Sequence, residues 1–174
     1  GCEPLIVGDP GVKLGFDVRV PRPAEVGADR LVNAVAGFEA HGGPLLIVDF
    51  GTATTFDVIA KDGAYLGGVI APGVNLSLEA LQTAAAKLPR IDIVAPERVM
   101  GTDTISAMRS GIYHGYASMI EGMIQRLRAE QGAMDAIATG GLAPLFAAAC
   151  PSIKATDGDL TLRGLYAINA RNRG

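Results

Sequence analysis

The sequence has no tryptophan and only two cysteines and two histidines in 174 residues. With no Trp and aromatics at 5%, stacking platforms for single-stranded nucleic acid are poorly supplied. Cys2, Cys150, His41 and His114 are too scattered for a zinc spacing. Two cysteines also build no disulfide framework, and a reducing cytoplasm is the simplest compartment. Lys and Arg form no blocks, and 15 Lys+Arg against 18 Asp+Glu leave a net charge of −3. That balance argues against nucleic acid or an anionic membrane as partner. No apolar run approaches the roughly 20 residues needed to span a bilayer. Gly1 to Pro4 shows no basic segment ahead of an apolar one, so no signal peptide is read. The missing initiator Met fits a chain that begins inside a longer parent. What the chain does have is apolar residues, at 49%, enough for one compact core.

The hydrophobic pattern gives the order of elements. Leu5-Ile6-Val7 reads as a short strand closed by the turn Gly8-Asp9-Pro10-Gly11, and Phe16 to Val20 alternates weakly up to Pro21. From Glu25 to Ala40, Leu31, Val32, Val35 and Phe38 recur at helical spacing, and Gly42-Gly43-Pro44 ends that helix. Leu45 to Phe50, Thr54 to Ala60 and Ala64 to Ile70 read as three strands on short turns, hence antiparallel neighbours. Helices are predicted over Leu76 to Lys87 and residues 101 to 130. A short strand at Ala136 to Ala138, a helix to Ala149, a strand at Ile153 to Ala155 and a closing helix from Leu160 to Ala170 follow. The β-β-β-α-α-β-α-β-α order implies a mixed α/β sheet covered by helices.

Three local patterns point to chemistry. In Asp49-Phe50-Gly51-Thr52-Ala53-Thr54-Thr55-Phe56-Asp57 an acid closes a buried strand and a Gly turn follows. Such a turn offers backbone N–H groups and hydroxyls to phosphate oxygens, and Asp49 at its rim suits a cation. An ordinary Thr-rich hairpin has the same spacing. Gly27-Ala28-Asp29-Arg30 opens a helix, either as a surface charge pair or as a general base beside a cation. Gly140-Gly141 lies between a strand and a helix, where a flat ligand can pack on backbone. Thr104 and Ser106 stand at the start of the long helix, with capping the default role. His41 and His114 have no adjacent nucleophile.

Together these segments resemble the type III pantothenate kinase family. Glu25 to Arg30 with Val32-Asn33-Ala34, and Asp49 to Asp57, carry the resemblance first. Gly67 to Gly73, Ala86-Lys87-Leu88-Pro89, Thr104 with Ser106 to Gly111, Ala138 to Ala143 and Asp159 to Leu165 follow in order. The resemblance implies a ribonuclease-H-like lobe of the acetate and sugar kinase, Hsp70 and actin superfamily. It implies phosphorylation of pantothenate by ATP with Mg2+, the first step towards coenzyme A, in a cytoplasmic homodimer activated by K+ or NH4+. It assigns Asp29 as catalytic base, Gly27, Ala28, Asp29, Arg30 and Thr104 to pantothenate, Thr52 to ATP and Asp49 to the monovalent cation. The family's Asp-Gly-Asn-Thr phosphate turn is not in this sequence, and Val20 stands where many members carry Tyr. Residues 1–43 are therefore expected to be what remains of a first lobe, and residues 44–174 a second lobe. A non-catalytic relative used as a binding module is the alternative, and another sugar or acyl kinase a weaker one.

Overall fold

A computed structural model describes residues 4–84 and 88–173. Five strands form one sheet: β1 (Leu45–Phe50), β2 (Ala53–Ile59), β3 (Tyr65–Pro72), β4 (Asp135–Gly140) and β5 (Ile153–Thr156), in the spatial order β3-β2-β1-β4-β5. The expected antiparallel meander is present, with β2 between β1 and β3. β4 and β5 then add in parallel beside β1. Parallel addition needs crossovers, and these are supplied by α2 (Val74–Ala84), α3 (Thr104–Gln131) and α4 (Ala143–Ala147). α1 (Ala28–His41) precedes the sheet and α5 (Leu160–Arg173) closes the chain.

Alternation along β1 divides the molecule into two layers of packing. Leu46, Val48 and Phe50 face α3, where they meet Ile112, Ile120 and Ile124. Leu45 and Ile47 face the other way, into a core with Leu31 and Ala34 of α1 and Leu160 of α5. Both faces are covered, so β1 reads as an unbroken apolar run until Asp49. Among the described residues, no helix is long and apolar enough to cross a membrane.

Several boundaries differ from the sequence reading. Leu5-Ile6-Val7 is not a strand. No ladder partner takes it up, and Leu5 and Val7 instead pack on the α1–α5 cluster. Phe16 to Val20 is not a strand: it bends at Phe16 and Val20 and meets Tyr65, the first residue of β3, through a single bridge from Val18. α1 starts at Ala28, because Pro23–Glu25 is spent on a separate 3-10 turn. α2 begins two residues early, at Val74. The predicted end at Lys87, with the Ala86-Lys87 part of that motif, lies outside the described residues, as does Cys2. The cap of α3 is Asp103, whose side chain accepts from the Ser106 N–H at 3.0 Å while Ser106 bonds back to the Asp103 N–H. Thr104 is therefore the first residue inside the helix and not its cap. Gly111, Gly115 and Gly122 have nothing within 4 Å of the position a Cβ would take. No close packing among the described residues offsets their cost in helix propensity.

Candidate active site

Sheet register brings the polar residues together. In the β1–β2 ladder Asp49 lies opposite Thr55, and Ile47 opposite Asp57. In the β1–β4 ladder Asp49 lies beside Thr139. All these residues share the face that carries α1, because side chains alternate with a period of two. That face is apolar at Leu45, Ile59 and Ile137 and becomes polar towards the end of β1.

Helix α1 delivers its first turn to this polar end. The Nε of Arg30 donates to Asp57 Oδ1 at 2.7 Å, with Asp57 fully buried and Arg30 13% exposed. Nη2 also lies 2.7 Å from that oxygen but has no aligned acceptor, so its contact there is coulombic and not a hydrogen bond. The Tyr65 hydroxyl donates to the same Oδ1 at 2.8 Å, and Thr55 donates to Oδ2 at 3.1 Å. Burial pushes the Asp57 carboxyl up, and Arg30, Tyr65 and Thr55 pull it back. Burial, and then the charge of Asp57, hold the Tyr65 hydroxyl well above the ordinary phenol range, so it remains a donor.

One turn further along α1, Asn33 Nδ2 donates to Asp49 Oδ2 at 2.9 Å, and Thr161 of α5 donates to Asn33 Oδ1 at 2.7 Å. Burial raises the Asp49 carboxyl, the bond from Asn33 lowers it, and the charges of Asp29 and Asp57 raise it again. The other oxygen of Asp49 sits over Gly140. A Cβ on Gly140 would meet Phe50 O at 2.6 Å and Asp49 Oδ1 at 2.7 Å, and its φ of +89° favours glycine as well. Two oxygens thus converge on a space that only glycine leaves open. Burial makes an ionised Asp49 costly there. No group of three or more His, Cys, Asp or Glu among the described residues is arranged to hold a metal.

Asp29 is exposed and lies close enough to act electrostatically on Asp49 and Tyr65. Its Oδ1 folds back over Gly27. Beyond the Gly51-Thr52 turn, a cavity of about 480 Å³ is lined by Gly51, Thr52, Asn75, Glu79, Gly141 and Leu142. A larger one, about 780 Å³, lies between α2 and α3 with Arg90 and Arg109 on its wall. It carries none of Asp29, Asp49 and Thr52; of these the smaller cavity carries Thr52 alone, and the glycine turns that converge on it make it the candidate.

The family model for type III pantothenate kinase matches residues 1–126. The chain belongs to that family. It is 60% identical over 172 residues to the type III pantothenate kinase of Paramagnetospirillum magneticum, covering 98% of this chain and 66% of that protein. The kinase of Rhodospirillum rubrum is 60% identical over 171 residues, again with 98% and 66% covered. That of Caulobacter vibrioides is 57% identical over 173 residues, with the same shares. The chain thus spans just under two thirds of the length of these kinases. In fold it is similar to the crystal structure of a conserved protein ascribed to the Baf family of transcriptional activators from Campylobacter jejuni. The TM-score is 0.61 at 24% identity, covering 90% of this chain and 68% of the other.

Within this member of the kinase family, Asp29, Arg30 and Asp49 gather at one end of the sheet, and Thr52 lies on the adjoining turn. Thr104 does not join them, because α3 lies on the opposite face of the sheet. Asn33, Tyr65 and the bonding role of Asp57 went unread in the sequence. A signal was present for two of them. The register that pairs Phe50 with Thr54, around the three residues Gly51-Thr52-Ala53, puts Asp57 on the Asp49 face, and Asn33 stands four residues after Asp29 on the apolar side of α1. Asp57→Ala would leave the mostly buried Arg30 without its counter-charge. We expect a loss of about 3–5 kcal/mol in chemical denaturation, and a loss below ~1 kcal/mol would show that the pair is not what anchors α1.

Proposed function

We propose that this chain binds pantothenate and ATP and transfers the terminal phosphoryl group to the pantothenate hydroxyl. The observation that carries the reading is the meeting of Asp29, Asp49 and two glycine turns at one end of the sheet. Residues 44–174 are read as the second lobe, and residues 1–43 as what remains of the first, docked on the sheet through α1.

Asp29 is the base in this reading. Its exposed carboxylate takes the proton of the attacking hydroxyl as that oxygen bonds to the γ-phosphorus and ADP leaves. Gly27, Ala28 and Arg30 line the acceptor's side. Arg30 is held by Asp57, with Nε donating and Nη2 buried 2.7 Å from the same carboxylate oxygen, and its charge acts on the acceptor's side. Thr52 faces the phosphates with its hydroxyl and N–H, while the Gly51 N–H is bonded to Ala53 O within the turn. Asp49 Oδ1 and Phe50 O would hold a monovalent cation, K+ or NH4+, which supplies positive charge beside the phosphates when bound. ATP is taken to arrive with Mg2+.

A homodimer completes the proposal. Gly111, Gly115 and Gly122 leave open space along α3, and a second α3 could approach there. Thr104, remote from Asp29 in its own chain, would then act near the partner subunit. Tyr116 takes no part in that approach, since its ring packs on the core and its hydroxyl is bonded inside the chain. The cytoplasm is the expected compartment.

Formation of 4'-phosphopantothenate from ATP and pantothenate tests the reading. Asp29→Asn should lower that rate about 10²–10⁴-fold with the fold intact, and near-normal turnover would exclude Asp29 as base. No product, together with calorimetric binding of pantothenate, would favour the second reading, a binding module without catalysis. Asp49→Ala should abolish stimulation by potassium; equal stimulation of both proteins would make Asp49 structural. Light scattering should give a dimer at micromolar concentration and a folded monomer for Gly115→Arg, and a wild-type monomer would contradict the assembly.

A further inference from the structure

Helix α3 reaches across to the start of α2 through one hydroxyl. The Tyr116 hydroxyl lies 3.1 Å from Gly73 O and 3.2 Å from Pro72 O, and it is bonded to the Ser77 side chain. The Ser77 N–H donates in turn to Gly73 O at 2.9 Å. A tyrosine and a serine bring one hydroxyl proton each. Those two protons serve the pair itself and the carbonyls that end β3.

Gly73 is where this network touches the candidate site. A Cβ on Gly73 would lie 2.1 Å from Thr52 O and 2.8 Å from Gly51 O. The β3–α2 junction therefore rests directly on the Gly51-Thr52 turn, with no side chain between them. Ala53 pairs with Pro72 on the same side. The cavity beyond is walled by Gly51 and Thr52 on the turn and by Asn75, Leu76 and Glu79 on the first turns of α2. A shift of Gly73 would move both walls relative to one another.

We infer that Tyr116 and Ser77 are positioning residues for the phosphate turn: they clamp the Pro72-Gly73 carbonyls so that Gly51-Thr52 and the start of α2 keep one spacing. The aromatic ring alone is accounted for by packing, with its centroid 6.1 Å from that of Phe146. The hydroxyl adds a polar group at that layer, and its three neighbours all belong to this junction. The inference rests on the reading of the 480 Å³ cavity as the place of the ATP phosphates.

Tyr116→Phe keeps the ring and removes the hydroxyl, and Ser77→Ala removes the other half of the network. Two measurements on the whole chain decide the matter. Amide hydrogen exchange without nucleotide should speed up about tenfold at residues 51–53 and 73–77 in Tyr116→Phe, while amides in the middle of α3 stay within about twofold. ATP affinity by calorimetry should fall about 3- to 12-fold, the loss of one hydrogen bond, and pantothenate affinity should stay within about twofold. Ser77→Ala should move both readouts in the same direction. Wild-type exchange at residues 51–53, or equal losses for ATP and pantothenate, would overturn the inference. A wild-type chain that binds no ATP would contradict the kinase reading instead, and the exchange rates at residues 51–53 would then decide the positioning role alone.

Discussion

Arg30 and Asp57 meet where the first turn of α1 crosses the middle of β2, and the placement of the remaining site residues follows from that contact. Asp57 is fully buried, so its charge is tolerable only with a close partner. Arg30 supplies it, and Tyr65 and Thr55 fill the other lone pairs. With Arg30 fixed, the rotation of α1 is fixed too. Asp29 then projects from the exposed side of the first turn, and Asn33, one turn on, reaches Asp49. Thr161 bonds Asn33 from α5, so the last helix of the chain supports the same arrangement.

The second constraint is close backbone approach. Gly140 admits Phe50 O and Asp49 Oδ1 to the space beside its Cα, and Gly73 admits the carbonyls of Gly51 and Thr52. Both glycines sit next to the same turn. A methyl group at either place would push the β1–β2 turn away from β4 or from α2. The site is therefore built from backbone packing first, with the polar side chains laid over it.

Much of the fold was legible in the sequence because it is written in short-range signals. The runs ending at Phe50, Ile59 and Pro72 are separated by turns too short for any but antiparallel pairing, and β1–β2–β3 pair that way. Asp49 at the end of a buried run, followed by glycine, was readable for the same reason. Illegible features depended on distant partners. Leu5-Ile6-Val7 has strand-forming residues but no ladder to join. Nothing local to Tyr116 in the sequence reveals that Gly73 and Ser77 lie beneath its hydroxyl. Thr104 stands beside a better cap, Asp103, which pairs with Ser106 in a capping box. The ion pair of Arg30 with Asp57 spans 27 positions and required the sheet register and the seat of α1 at once.

The central proposal is that one end of this sheet binds both substrates, the acceptor along the start of α1 and the nucleotide between the two glycine turns. Amide chemical-shift mapping by NMR with each ligand added separately tests it most directly. Pantothenate should shift the amides of residues 27–33, and ATP those of residues 51–53 and 140–142, with little overlap. Shifts confined to the cavity around Arg90 and Arg109 would contradict the account.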